Sequence, residues 1–235
     1  MTVRINKYLA SCGVCSRRDA DALIAQGRVR VNGQVAQMGT KVEAGDVVEL
    51  NGKLLRQQES KVVLAFYKPV GVVCTERDPH ASKKILDGID YPVRVTYAGR
   101  LDKDSEGLIL LTNDGGLIDA MMRGNSGHEK EYVVKVDREV TSDFLQGMSE
   151  GVYLKELDMT TRPCRLQQLG KFSFCIVLTQ GLNRQIRRMC KAFGYEVKTL
   201  KRIRVLNIGL EQLTPGKYRE IRGSELAELY AKCGL

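Results

Sequence analysis

The string Gly99-Arg100-Leu101-Asp102-Lys103-Asp104-Ser105-Glu106-Gly107 runs without a break into the apolar stretch Leu108-Ile109-Leu110-Leu111. Four large apolar residues in a row, followed by Thr112 and the turn signal Asn113-Asp114-Gly115-Gly116, read as a strand. A charged loop is therefore delivered directly to the start of a sheet. Within it Asp102 stands between Arg100 and a short turn. A cation beside a carboxylate favours its ionised form, so this group is expected to carry charge at neutral pH. An ionised carboxylate in a positive cleft can act as nucleophile or base on a bound anionic substrate.

The segments around it alternate between strand and helix patterns. Val62-Val63-Leu64-Ala65-Phe66-Tyr67 reads as a buried strand, stopped at Lys68-Pro69-Val70-Gly71 because proline cannot donate to a ladder. Leu117 to Met122 starts a helix, Tyr132-Val133-Val134-Lys135-Val136 alternates as a strand, and Phe174-Cys175-Ile176-Val177-Leu178 is a strand leading into Gln180-Gly181. Arg184 to Phe193 is helical with Gly194 as its stop. This order predicts an α+β fold with an extensive, mainly antiparallel sheet.

The first sixty residues differ in character. Ile5, Tyr8 and Leu9 form a one-faced stripe, and Ser16-Arg17-Arg18-Asp19 reads as a capping box opening a helix whose apolar face is Ala20, Leu23 and Ile24, ended by Gly27. Val29-Arg30-Val31 then alternates into Asn32-Gly33, and Val47-Val48-Glu49-Leu50 runs into Asn51-Gly52, both strong two-residue hairpin turns. Arg17 and Arg18 occupy the first turn of a helix, where the dipole and free N–H groups favour a phosphate. The planar fork of arginine suits phosphate oxygens. Arg4, Lys7, Arg28 and Arg30 are expected to extend that surface. The polar Gln57-Gln58-Glu59-Ser60 makes a linker, giving an expected division into 1–57, a linker 58–61 and 62–235.

Charge points to the partner. The formal net charge is +9, which favours a polyanion. Between Arg184 and Arg204, eight basic residues face one acid, Glu196, a local net of +7. Such one-sidedness is unusual for a solvated face, and the stretch, with Arg184 and Arg188, is read as a phosphate-binding surface. The seven cysteines are irregularly spaced. Cys12 and Cys15 form a CxxC without a second pair at zinc-ligand distance, so structural thiols are expected and no metal. The N-terminal residues lack the apolar run of a secretory signal, and no segment approaches the ~18 apolar residues of a membrane span. A cytoplasmic protein without a membrane partner is expected.

The blocks Arg4-Ile5-Asn6-Lys7, Cys15-Ser16-Arg17-Arg18, Gly27-Arg28-Val29-Arg30-Val31-Asn32-Gly33 and Gly45-Asp46-Val47-Val48 resemble the S4 RNA-binding domain. Four later segments resemble the pseudouridine synthases, in the branch of the small-subunit and the B, E and F large-subunit rRNA enzymes. They are Tyr67-Lys68-Pro69-Val70-Gly71, the Gly99–Gly107 string with Leu111-Thr112-Asn113-Asp114-Gly115, Glu129-Lys130-Glu131-Tyr132, and Gln180-Gly181-Leu182-Asn183-Arg184-Gln185-Ile186-Arg187-Arg188-Met189. Ser105, where many relatives have threonine, and Asn183-Arg184-Gln185 in place of His-Gln are similar to the F branch.

That resemblance implies a small S4-like domain followed by a catalytic domain with a mixed sheet and a central RNA-binding cleft. It implies isomerisation of uridine to pseudouridine in structured RNA, large-subunit rRNA in first place, a stem-loop being the expected form, with tRNA or both RNAs as the alternative. Asp102 takes the place of the catalytic carboxylate, with nucleophilic attack and proton abstraction both open. Arg187 matches the basic residue that pairs with that carboxylate in relatives, and Tyr132 the tyrosine that stacks on the target base. Arg100 is expected to hold the RNA backbone or fill the gap left by the extruded nucleotide, and Leu200 to pack on the uracil. No cofactor is required by this reaction, and a monomer is expected. Absence of G-x-x-x-x-G-K-[ST] and G-x-G-x-x-G motifs and the presence of only two histidines argue against nucleotide hydrolysis, dinucleotide chemistry and a Ser-His-Asp triad. The rival of a different class is a non-catalytic S4-type ribosome-assembly factor, for which Asp102, Tyr132 and Arg187 together would have no use.

Overall fold

The structure is a computed structural model that describes residues 2–57, 60–76, 78–123 and 127–235. Of the expected linker 58–61, Gln58 and Glu59 lie outside these residues. The chain forms two compact units, one of Met1–Val62 with Tyr91–Thr96 and Thr112–Gly115, the other of Val63–Asp90, Tyr97–Leu111 and Gly116–Leu235.

In the first unit the helices Ile5–Ser11 and Arg17–Ala25 precede a four-stranded sheet. Ser16 Oγ accepts the Asp19 N–H at 3.2 Å, and the Asp19 carboxylate accepts the Ser16 N–H at 3.3 Å. This reciprocal cap contributes about 1 kcal/mol. The sheet runs Gln34–Val35, Val29–Val31, Val48–Leu50, Lys53–Leu54 in spatial order. Its two hairpins turn on Asn32-Gly33, with φ of 52° and 80°, and Asn51-Gly52, with φ of 53° and 77°. Consecutive left-handed residues are what a two-residue turn matched to strand twist requires, and Asn-Gly meets that need at least cost. Ile5, Leu9, Cys15, Ala20, Ile24, Val29 and Val48 close the core. Burial pushes the Cys12 thiol up to about 11, so it is held as a neutral apolar group.

The second unit is built on a sheet whose main path has seven strands, Arg165–Gly170, Ser173–Leu178, Lys130–Val136, Val197–Val205, Glu106–Thr112, Val63–Lys68, Tyr218–Glu220. Pairing is parallel where Val197–Val205 meets Glu106–Thr112 and antiparallel from Val197–Val205 through Lys130–Val136 and Ser173–Leu178 to Arg165–Gly170. The mixed sheet predicted from the sequence is thus present. Val63–Lys68 is buried along its whole length. The helices Gly115–Met122 and Gly223–Lys232 bring Leu117 and Leu229 onto Val63, Ala65, Leu108 and Leu110. Each such side chain stabilises the fold by about 1.5–3 kcal/mol on burial. A third helix, Ser142–Ser149, is capped by Thr141 Oγ1, which accepts the Phe144 N–H at 3.2 Å, and packs Phe144 edge-on against Phe174.

Candidate active site

The strand Lys130–Val136 fixes the floor of the site. Cross-strand partners share a face, and Lys130 lies opposite Leu178, Tyr132 opposite Ile176 and Arg202, and Val134 opposite Leu200. Lys130, Tyr132, Leu178, Leu200 and Arg202 consequently line one cleft of about 500 Å³ together with Arg100, Asp102 and Arg184. Tyr132 and Leu200 are buried and present apolar surface, while Arg100 is exposed at the rim. Among the described lining residues Asp102 is the one carboxylate, against Arg100, Lys103, Arg123, Lys130, Arg184 and Arg202.

The loop that carries Asp102 is braced from both sides. Gly107 sits against the backbone of Arg202, where a Cβ would lie 2.2 Å from the Arg202 carbonyl oxygen. Arg202 itself is only 3% exposed. Its guanidinium donates to the carbonyls of Leu108 at 2.6 Å and Arg100 at 3.4 Å, spanning the loop. A buried charge is tolerated only with such hydrogen bonds. On the other side Lys68, fully buried, donates to the carbonyls of Pro69 and Val72, each at 2.8 Å. The turn so formed donates the Gly71 N–H to the Lys103 carbonyl at 2.8 Å.

The ion pairs of the site differ from the sequence expectation. Among the described residues the cation within ion-pair distance of Asp102 is Arg184, Nη1 to Oδ2 at 3.9 Å, and not its neighbour Arg100. Arg187 meets Asp104, Nε to Oδ2 at 3.3 Å, and donates to the Asp104 carbonyl at 2.8 Å; it is not paired with Asp102. Arg184 makes a two-pronged contact with Asp104 at 2.9 and 3.2 Å. The cause is the helix start. Arg184 precedes Gln185–Ala192 in the left-handed conformation, φ 50° and ψ 34°, and both arginines converge on the second acid of the loop.

The basic run from Arg184 to Arg204 is not one open surface. Arg202 is interior, Arg204 pairs with Glu131 at 2.6 Å and Glu129 at 3.1 Å, and Lys198 pairs with Glu196 at 2.7 Å. Arg188 pairs with Glu156 and donates to Asn183, and Lys191 pairs with Glu156 at 3.2 Å. Acids distant in sequence supply the counter-charge that the local count omitted. In the first unit Arg4, Lys7, Arg17, Arg18, Arg28 and Arg30 are all exposed. Arg28 donates to Asn51 at 2.8 Å and Arg30 to the Gly33 carbonyl at 2.7 Å, so their heads are partly anchored.

Sequence reasoning missed Lys130, His128, Cys74 and Arg202 as cleft-lining groups. The alternation of Lys130 with Tyr132 was the signal available for the first. Burial, then repulsion from Arg202, holds the Lys130 ammonium below its ordinary range. Burial and the charges of Lys130 and Arg123 push His128 down, keeping the imidazole neutral near pH 7. Among the described residues no group of three or more His, Cys, Asp or Glu is placed to hold a metal ion.

The cleft sets the apolar surfaces of Tyr132 and Leu200 beside the carboxylate of Asp102, inside a cationic wall. Comparison with known proteins gives the family. The family described as RNA pseudouridylate synthase matches residues 62–192, and the S4 domain matches residues 3–48. A dual-specificity RNA pseudouridine synthase of Escherichia coli is 47% identical over 97% of this chain and 79% of its own length. A ribosomal large subunit pseudouridine synthase B of Bacillus subtilis is 36% identical over 97% of this chain and 96% of its own. A crystal structure of a pseudouridylate synthase superposes with a TM-score of 0.71 at 29% identity, covering 97% of this chain and 99% of that one. A loop carboxylate in a cationic cleft, an S4 domain ahead of it and these matches lead to one conclusion: the chain belongs to the RNA pseudouridylate synthase family and is an enzyme that isomerises uridine in RNA.

Proposed function

We propose that the substrate is an unpaired uridine in a stem-loop of large-subunit rRNA and that Asp102 is the catalytic carboxylate. The observation that carries this is the position of Asp102, 35% exposed, as the one carboxylate among the described lining residues of a cleft otherwise charged by cations. In the reaction the bond from C1′ to N1 of uracil breaks and a bond from C1′ to C5 forms. N1 gains a proton and C5 loses one. Asp102 serves at the sugar, by attack on C1′ or by taking a proton from C2′. Each route requires an ionised carboxylate with an uncommitted oxygen. Tyr132 stacks on the base and Leu200 packs its apolar edge. Arg100 occupies or braces the gap left in the RNA, since a guanidinium plane stacks on bases. Arg187 holds the loop through Asp104, and Arg184, Arg188 and the exposed cations of the S4 domain take backbone phosphates. The enzyme acts as a monomer in the cytoplasm. Among the described residues no helix is long and apolar enough to cross a membrane.

Flipping the uridine costs a few kcal/mol and least in loops and bulges. Phosphate contacts offset that cost without choosing the sequence. The Escherichia coli relative is named a dual-specificity enzyme, which favours a second reading in which a tRNA loop is also modified. Mapping pseudouridine in rRNA and tRNA from cells with and without the gene tests both. Loss of a site in large-subunit rRNA is expected. Loss confined to tRNA would overturn the rRNA assignment, and an inactive purified enzyme on both RNAs would return weight to the assembly-factor reading.

The phosphate role of the S4 domain has its own test. Replacing Arg17 and Arg18 together by alanine should weaken RNA binding and reduce the slope of log K against log salt by about 2. Titrations at several salt concentrations measure this, and an unchanged slope would remove both arginines from the interface.

A further inference from the structure

One cation of the cleft is placed unlike the others. Arg100, Lys103, Arg123 and Arg184 are exposed at its rim, where a phosphate backbone can reach them. Arg202 is interior, with its guanidinium committed to the carbonyls of Leu108 and Arg100. Lys130 is half-buried and largely uncommitted. Its cross-strand partners are Leu178 and Val205, both buried and both in the cleft wall, so its stem lies between apolar side chains. Tyr132 is two residues further on and on the same face of the strand, about 7 Å away by the strand rise. Among the described residues the Lys130 ammonium makes one hydrogen bond, to the His128 carbonyl at 3.3 Å, and pairs with no carboxylate. An ammonium has three donors, so two are left for a ligand. A half-buried charge without a counter-ion costs stability, and such groups cluster at functional sites.

We propose that Lys130 is a further catalytic residue, whose ammonium donates to a carbonyl oxygen of the target uracil and stabilises the negative charge that the base carries once its bond to the sugar breaks. The proposal rests on the reading that Tyr132 stacks on the base and Asp102 acts at the sugar. By either route open to Asp102, the electron pair of the C1′–N1 bond leaves with the uracil, and its charge spreads over N1, C5, O2 and O4. The pair then forms the C1′–C5 bond, after which C5 loses its proton and N1 gains one. A fixed donor aimed at charge that develops in the transition state lowers the barrier more than it strengthens binding. The rotation of the base suits this placement. Turning about the N3–C6 axis brings C5 to where N1 stood, and the same turn exchanges O2 with O4. A donor beside the first oxygen therefore meets the second afterwards. A compact ammonium with rotatable N–H groups serves both orientations, where a flat guanidinium fork is built for paired acceptors. Burial and repulsion from Arg202 lower the proton affinity of Lys130, which makes it a stronger hydrogen-bond donor.

In the full chain, Lys130→Met should lower the single-turnover rate at saturating RNA about 100-fold, the usual loss when one such donor is removed. Affinity for transcribed large-subunit rRNA should hold, and the slope of log K against log salt should not change, since no phosphate contact is lost. The melting temperature should be equal or higher, because an unpaired half-buried charge is gone. Lys130→Arg, which keeps the charge, should retain part of the rate. Methylammonium supplied to Lys130→Ala should raise its rate above that in sodium chloride at the same concentration. Lys130→Met, whose side chain fills the space, should not respond. An unchanged rate in Lys130→Met, a lowered melting temperature, or no response of a folded Lys130→Ala to methylammonium would overturn the proposal. Weaker binding with a slope smaller by about 1 would also overturn it and make Lys130 a phosphate contact. Asp102→Asn measured in parallel tests the underlying reading separately. Turnover surviving that change displaces Asp102, whereas its loss beside a fully active Lys130→Met keeps Asp102 and removes Lys130.

Discussion

Replacing Asp102 by asparagine should abolish turnover, by at least about four orders of magnitude, while leaving the fold and RNA binding in place. The side chain is isosteric and sits on a half-exposed loop whose shape is set by other groups. The Ser105 N–H bonds the Asp102 carbonyl at 3.1 Å and the Gly71 N–H bonds the Lys103 carbonyl, so the backbone does not depend on the carboxylate. The amide has neither the charge for attack on C1′ nor the basicity for proton removal. Because one negative charge leaves a cationic cleft, affinity should be equal or slightly higher, within about threefold. Release of the C5 hydrogen from labelled uridine in RNA, read beside a binding titration, measures both. A variant that binds and still turns over would sink the assignment of Asp102.

Gly107→Ala should be the most damaging single change to the fold of the second unit. Its φ is +109°, a region that L side chains rarely adopt. A Cβ there would also meet the Arg202 carbonyl oxygen at 2.2 Å, its nitrogen at 2.7 Å and its carbonyl carbon at 2.9 Å. All three are backbone atoms, so relief requires prying apart the strands Glu106–Thr112 and Val197–Val205. Backbone strain plus lost packing should cost about 3–5 kcal/mol and lower the melting temperature on the order of 10 °C for a unit of this size. Gly88→Ala is the control, with an ordinary φ and open space around the added methyl. Similar melting temperatures for the two variants would show that the close approach is not a constraint.

What the sequence revealed was local. The capping box of Ser16 and Asp19, the Asn-Gly turns and the run from Leu108 to Leu111 are decided by neighbours within a few residues, and each is found where its pattern places it. Arg100, Asp102, Tyr132 and Arg184 from the motif segments, with Leu200 from outside them, line one cleft. Pairings across the chain were not legible. Counting charge from Arg184 to Arg204 suggested an open basic surface, because Glu129, Glu131 and Glu156, which neutralise much of it, lie outside the segment. Arg100 was taken as the partner of Asp102 because it is two residues away, yet the partner comes from a helix cap far along the chain. The inward turn of Arg202 depends on which strand lies beside it, and the parallel neighbour Glu106–Thr112 is a property of topology that alternation cannot report.

The parallel junction also governs when the enzyme becomes competent during folding. Arg202 and Leu108, joined across it, are 94 residues apart in the chain. Closing so long a loop costs entropy before any contact repays it, and parallel pairing of remote strands is slow to form for that reason. The hairpin of Arg165–Gly170 with Ser173–Leu178 is local by comparison and can assemble earlier. The Asp102 loop gains its brace only once the strand bearing Arg202 has docked, so a chain still being made carries the motif without the means to hold it. Catalytic capacity then waits on this junction, and a chain that has not closed it lacks the brace of the Asp102 loop.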